Sequence, residues 1–199
     1  MGEVVATGFL SAFAGSRVLV TGHTGFKGSW LAFLLKEIGA EVLGYALPPE
    51  QPDSHFDSLG LAHSIRHVEG DVRDGAKLTS TMAEFRPEFV FHLAAQALVR
   101  PSYTDPRATF DTNVMGSVNL LEAVRQCDSV RSLVYITSDK CYENLEWVWG
   151  YRENDRLGGH DPYSASKASA EIVFSAYARS FFAHRPELGA AAARAGNVI

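Results

Sequence analysis

An α/β fold built on a doubly wound parallel sheet is what this sequence predicts, on three observations. Short apolar runs rich in β-branched and aromatic residues alternate with longer stretches of helical period. The runs are apolar on consecutive residues, as strands buried on both faces must be. A glycine-rich segment joins the first run to the first helical stretch.

The elements follow in chain order. Residues 1–16 read as an N-terminal extension and 17–199 as one domain. The first strand is 17–22 (RVLVTG), with a helix after it over 26–38. The second strand is 41–46 (EVLGYA). Residues 47–63 carry Pro48, Pro49 and Pro52 and read as a loop, because proline fixes its φ and donates no backbone hydrogen bond. A third strand at 65–69 and a helix at 74–85 come next. The fourth strand is 89–93 (FVFHL). A long helix is predicted over 107–127, where Val114, Ser117, Leu120, Val124 and Cys127 fall in one stripe. The fifth strand, 132–137, leads into 141–161 (CYENLEWVWGYRENDRLGGHD), an aromatic, charged and Gly-rich stretch. An irregular segment of that length inside a compact domain is expected to be functional or mobile. A helix over 162–182 and a strand over 190–195 complete the chain. Right-handed crossovers between parallel strands turn this order into the Rossmann-type doubly wound arrangement.

Composition excludes several classes. Hydrophobic residues at 46% and charged residues at 21% describe a chain able to bury a core. The net charge of −5, with no long basic run, argues against nucleic acid or an anionic membrane as partner. No apolar stretch approaches the roughly 18 residues that a membrane span needs. Cys127 and Cys141 fit no metal or redox spacing, and two lone thiols suit a cytoplasmic protein.

The segment VLVTGHTGFKGSW (18–30) has the ingredients of a phosphate loop. The ATP-type loop needs a lysine directly before serine or threonine, and here the order is Lys27-Gly28-Ser29. The glycines instead fall as Gly22-x-x-Gly25-x-x-Gly28, between a strand and a helix. That is a dinucleotide fingerprint with its first gap widened by one residue. Gly22 serves the tight turn, Gly25 the approach to the pyrophosphate and Gly28 the packing of helix on strand. The helix start adds free N–H groups and partial positive charge. Lys27 reads as a solvated helix residue, with phosphate contact as the alternative. The second strand ends without a carboxylate for a ribose, Glu50 being a late candidate, and without an arginine for a 2′-phosphate. Asp71, after the third strand, is placed either to bond adenine or to cap the next helix.

Tyr163 and Lys167 lie four apart in a predicted helix and share one face. A nearby ammonium favours phenolate, which would make Tyr163 a base toward an alcohol. His92, Trp147 and Trp149 read as core or loop packing.

Together the glycine loop, HLAAQ (92–96), TNVMGSVNLLEA (112–123) and the Tyr163/Lys167 pair resemble the extended short-chain dehydrogenase/reductase superfamily. TSDKCYENLEWVWGYRENDRLGGHDPYSASK (137–167), GHTGFKGSWL and the closing AGNVI resemble its CDP-glucose 4,6-dehydratase branch. The resemblance runs from Arg17 onward. It implies NAD as cofactor, contacted by Gly22, Thr24, Gly25, Phe26, Gly28, Asp71, Val72, Leu93, Ala94 and Ala95 as well as Tyr163 and Lys167. It implies Ser138, Asp139, Lys140, Tyr163 and Lys167 as the catalytic set, Thr137 being a neighbour that could compete with Ser138. Gln96, Ser138 and Asn197 become substrate contacts, and Asn113 a structural asparagine near the active site. It also implies a further C-terminal lobe that grips the nucleotide sugar, so that 17–199 is expected to be the NAD-binding domain cut before that lobe. Dimerisation through 107–127 and 162–182 is the family habit.

The implied reaction begins with oxidation of the glucose 4-hydroxyl of CDP-glucose, Tyr163 taking the proton. Water is then lost across C5–C6, with Asp139 as acid. Lys140 is the positional candidate for the C5 base if burial near cations neutralises it, or otherwise a cation beside the enolate. Hydride return to C6 gives CDP-4-keto-6-deoxy-D-glucose, a precursor of sugars in surface polysaccharides.

Overall fold

The structure, a computed structural model, describes residues 8–198. Its sheet has six parallel strands: β1 (Arg17–Thr21), β2 (Glu41–Ala46), β3 (Arg66–Glu69), β4 (Phe89–His92), β5 (Ser132–Ser138) and β6 (Gly189–Ala195). They lie in the order β3-β2-β1-β4-β5-β6, the doubly wound order that the sequence predicts. The register places Thr21 beside Tyr45 on one side and beside His92 on the other. All carboxyl ends therefore meet one edge.

The helices cover both faces. On one side α1 (Phe26–Glu37) packs over Val18, Val20 and Val42 through Ala32, Leu35 and Ile38. On the other, α4 (Gly75–Phe85), α7 (Gly116–Gln126) and α8 (Pro162–Ser180) enclose Leu19, Leu43, Val90, Leu133 and Tyr135. Val18, Leu19 and Val20 are buried on both faces, which is why β1 reads as an uninterrupted apolar run.

Three segments depart from expectation. The proline-rich stretch is not all loop, since α2 (His55–Ser58) and α3 (Leu61–Ser64) occupy its second half. Ser54 and Asp57 form a capping box there, and Phe56 and Leu61 fill the α1 side of the core. The prolines, at 48, 49 and 52, all precede these helices. The predicted 107–127 helix is three pieces: α6 (Pro106–Phe110), a π-helical turn (Asp111–Met115) and α7. A short helix before them, α5 (Val99–Thr104), was not foreseen. Asp105 ends α5 and caps α6, accepting from the Ala108 amide at 2.9 Å, with Pro106 at the first helical position. Of the N-terminal extension, 1–7 lies outside the described residues. Gly8–Phe13 forms a 3₁₀ helix that packs Leu10 and Phe13 on the α1-side core, with Phe13 edge-on to Phe89 at 4.9 Å.

Candidate functional site

The crossovers leave β1 toward β2 on one side and enter β4 on the other, so the crevice of a doubly wound sheet opens between the carboxyl ends of β1 and β4. The glycine loop forms one wall. Gly22 turns with φ +75°, and a Cβ there would sit 2.7 Å from the Ala94 nitrogen of the segment after β4. A Cβ on Gly28 would stand 2.1 Å from the Gly22 carbonyl oxygen, so α1 could not approach β1 with any other residue. Gly25 is the N-cap of α1 and gives it no side-chain cap, leaving helix-start amides for an anion. Thr24 Oγ1 donates to the Leu47 carbonyl (2.9 Å), tying the loop to the end of β2. Phe26 is half-exposed and lies against the His55 ring at 5.4 Å.

His23, inside this loop, is completely buried. Its Nε2 meets His67 Nδ1 at 2.7 Å, and burial followed by the His67 charge pushes it down to about 3. Its ring occupies the space where Gly44 has no side chain. The sequence offers no signal for this packing beyond the glycine in β2.

The remaining cofactor candidates line the same edge. Asp71 is held by Arg73, its carboxylate accepting from the Arg73 amide (2.9 Å) and pairing with its guanidinium (2.5 Å), and these hydrogen bonds hold it below the usual carboxylate range. The alternative capping role falls to Asp74 instead, which accepts from the Lys77 amide at 3.0 Å. Val72 is buried in the core against Gly116. Leu93 and Ala94 pass β1 through their amides, which meet Thr21 Oγ1 at 3.2 and 3.3 Å, and Ala95 follows half-buried.

Gln96 is consumed by its surroundings. Its side chain donates to Leu98 O (2.9 Å) and Thr109 Oγ1 (3.0 Å) and accepts from the Leu98 amide (2.6 Å). Asn113, in the π-helical turn, accepts from the Gln96 amide (2.8 Å) and donates to Gln96 O (3.0 Å) and Ser166 Oγ (2.8 Å). One asparagine thereby joins the β4 segment to α8, and the widened turn is what turns it inward. Asn197 is exposed just beyond β6, one residue after Gly196, where a Cβ would lie 3.9 Å from Asp139 Oδ2.

Tyr163 and Lys167 share the inner face of α8, capped by Asp161 through the Ser164 amide at 2.9 Å. The Tyr163 amide also donates to the buried Ser102 hydroxyl of α5 (3.2 Å). Lys167 Nζ lies 5.9 Å from the Tyr163 ring centre. Burial, then the charge of Lys27, pushes Lys167 down to about 8. Lys27 is thus half-buried and within electrostatic reach of the α8 lysine, rather than the free surface residue the sequence suggests. His92, stacked on Tyr135 and bonded to Thr21 Oγ1 at 2.7 Å, is pushed down to about 3 by burial and then by Lys167. The expected lowering of the phenol is reversed here. Burial raises Tyr163, a hydrogen bond from Ser138 opposes it, and the Asp139 and Asp161 charges add to the rise.

Ser138 closes β5 and donates to Asp139 Oδ1 at 3.1 Å. Lys140 pairs with Asp139 at 3.6 Å, and its side chain is 51% exposed. The burial beside other cations that a neutral lysine base requires is therefore lacking at Lys140. Thr137 does not compete with Ser138, because it is buried and donates to the Glu171 carboxylate. The structure brings Ser138, Asp139, Tyr163 and Lys167 together at one end of the crevice.

A family model described as GDP-mannose 4,6 dehydratase matches residues 19–185. The chain belongs to that family. A CDP-glucose 4,6-dehydratase of Salmonella typhimurium is 55% identical over 93% of this chain and 53% of its own length. The UDP-glucose 4-epimerase of Brucella ovis, solved in complex with NAD, superposes with a TM-score of 0.76 at 30% identity, over 92% of this chain and 52% of that one. The Thermus thermophilus UDP-glucose 4-epimerase, also solved with NAD, gives 0.75 at 32%, over 89% and 54%. The chain spans about half the length of the curated relatives it matches.

Proposed function

We propose that this chain supplies the NAD-binding half and the acid–base residues of a CDP-glucose 4,6-dehydratase. The observation that carries the reading is the Ser138–Asp139 corner of β5 set against Tyr163 and Lys167 of α8, at the carboxyl edge of the sheet. The similarity to the Salmonella CDP-glucose enzyme supports the choice of base and sugar. The uncapped α1 start and the close-packed glycines fit a dinucleotide pyrophosphate. Gly22, Thr24, Gly25, Phe26 and Gly28 would hold it, with Asp71, Val72, Leu93, Ala94 and Ala95 as its further contacts. When bound, NAD supplies the acceptor and later the donor of a hydride.

The chain's own residues do the rest. Tyr163 takes the proton of the 4-hydroxyl, Ser138 hydrogen-bonding to the same oxygen. Lys167, close to titration at neutral pH, stabilises the phenolate as it forms. Oxidation at C4 acidifies C5–H. Asp139 protonates the departing 6-hydroxyl as water is lost. Lys140, half-exposed and paired with Asp139, offers its ammonium to the enolate charge that develops as the C5 proton passes to water. Asn197, exposed just beyond β6, is the proposed contact to the nucleotide sugar, with Gln96 shaping the segment after β4. The product class, a 4-keto-6-deoxy sugar nucleotide, suits surface polysaccharide synthesis in the cytoplasm. Among the described residues no helix is long and apolar enough to cross a membrane. A second copy is the proposed partner, through 107–127 and 162–182, where Phe110, Met115 and Ile172 are exposed.

The test is incubation of the chain with NAD and CDP-glucose, beside UDP-, dTDP- and GDP-sugars, following each by mass. Loss of one water from CDP-glucose alone is the expected result. Loss from another sugar nucleotide overturns the base preference, and no loss with NAD bound overturns turnover by these 199 residues.

A further inference from the structure

Residues 141–161 form a strap whose two feet carry the proposed chemistry. One foot follows Ser138, Asp139 and Lys140 directly, and the other leads into Tyr163. The feet are zipped together. The Glu143 amide donates to Arg156 O and the Gly158 amide to Cys141 O, each at 2.9 Å, with an antiparallel bridge between Tyr142 and Leu157. Inside the strap Tyr151 stacks on Tyr142 (5.1 Å) and lies tilted against Trp147 (5.3 Å). Neither core of the sheet includes a residue of 142–161.

What ties the strap to the domain is Arg194 of β6. Its guanidinium donates to the Tyr142 phenol oxygen (2.8 Å), to Glu153 O (3.0 Å) and to the Glu171 carboxylate (3.0 Å), and lies over the Tyr142 ring at 4.8 Å. The other Glu171 oxygen accepts from Thr137, the residue before Ser138. Glu171 stands one turn past Lys167 and two past Tyr163, on the same face of α8. Its carboxylate is buried, with 6% of its side chain exposed, and every contact that satisfies it comes from a different element. A planar fork that reaches two acceptors at once is a geometry lysine cannot reproduce.

We propose that Glu171 and Arg194 are positioning residues, a clamp that holds the end of β5, the α8 face and the strap in one arrangement. The clamp fixes Ser138 and Asp139 relative to Tyr163. Its catalytic meaning rests on the dehydratase reading; its hold on the strap does not.

The experiment separates the two. In a Trp30→Phe background the only tryptophans are Trp147 and Trp149, both in the strap. Acrylamide quenching of their fluorescence and tryptic cleavage at Arg152 and Arg156 then report strap opening without any turnover. The variants are Glu171→Gln, Arg194→Lys and Tyr142→Phe, each checked for folding by thermal unfolding. Tyr142→Phe removes one hydrogen bond and keeps the buried ion pair, so it decides the question if Glu171→Gln fails to fold. Cleavage about ten-fold faster in Arg194→Lys, the scale of losing a hydrogen bond to a charged group, is expected, with a smaller rise in Tyr142→Phe. Quenching should rise in the same order. Wild-type quenching and cleavage in both folded variants would overturn the clamp. Where CDP-glucose is turned over, kcat should drop with KM held, whereas a raised KM with unchanged kcat would overturn the positioning role. Absence of turnover in the parent chain would count against the dehydratase reading alone, the strap measurements still deciding the clamp.

Discussion

The glycine loop at 22–28 and the strap at 141–161 both hang from the carboxyl edge of the sheet, yet they are held by opposite means. The loop is held by absence of side chains. Gly22 presses on Ala94 and Gly28 on Gly22, leaving no room for a methyl group at either contact. The strap is held by side chains, with Arg194 reaching three acceptors and Tyr142, Tyr151 and Trp147 clustered within it. Backbone packed on backbone suits a ligand part that never changes, such as a pyrophosphate. Side-chain anchoring suits the part of a site that must place an acid and a base to within a fraction of an ångström.

The comparison can be broken first where chemistry and cofactor binding divide. Tyr163→Phe on the strap side should lower turnover at least ~10³-fold while leaving NAD affinity within about two-fold, by steady-state kinetics and NAD titration. Comparable loss of both would erase the division of labour.

The next largest effect tests how the loop is held. Gly28→Ala should cost ~3 kcal/mol in urea unfolding, because its Cβ meets a backbone oxygen that cannot yield. Gly25→Ala, whose Cβ would meet that oxygen at 3.4 Å, should cost under ~0.5 kcal/mol yet weaken NAD binding. Equal destabilisation by the two would mean that the loop is merely a turn.

Lys167 sharpens the strap side. Its folded value of about 8 lies below the ordinary 10.5, so the buried ammonium lowers stability below pH 8. Lys167→Met should then gain up to ~3 kcal/mol at pH 7, a gain that fades as pH rises from 8 toward 10.5 and the lysine loses its proton in both states. A pH-independent difference would remove the account of Lys167 as a buried cation held at a cost in desolvation.

The acid limb compares the two regions once more, through His23 beneath the loop and His92 beside Lys167. Both are neutral in the fold, pushed to about 3 from 6.5, so the unfolded chain takes up protons first as pH falls below 6.5. Stability contributed by each is present above pH 6.5 and lost on the way down, at most ~1.4 kcal/mol per pH unit. Replacing His92 by Gln should flatten the acid slope by one histidine's share, measured by urea unfolding between pH 6.5 and 5. An unchanged slope would place the acid sensitivity elsewhere.

The sequence by itself determined the sheet, the helices α1, α4 and α8 and the glycine loop, because each depends on local rules. Consecutive apolar residues mark buried parallel strands, and three glycines at fixed spacing mark a close approach of backbone to backbone. It also put Tyr163 and Lys167 on one helical face, since four residues make about one turn. Only the tertiary structure decided the partners of those residues. It spent Thr137 on Glu171 and Gln96 on Leu98 and Thr109, brought Lys27 within reach of Lys167, and left Lys140 half-exposed beside Asp139. It raised the phenol that proximity to lysine was expected to lower, because burial, joined by the charges of Asp139 and Asp161, outweighs the opposing Ser138 hydroxyl. Burial and long-range pairing join residues such as Arg194 and Tyr142 across 52 positions of chain, and no local pattern encodes that distance.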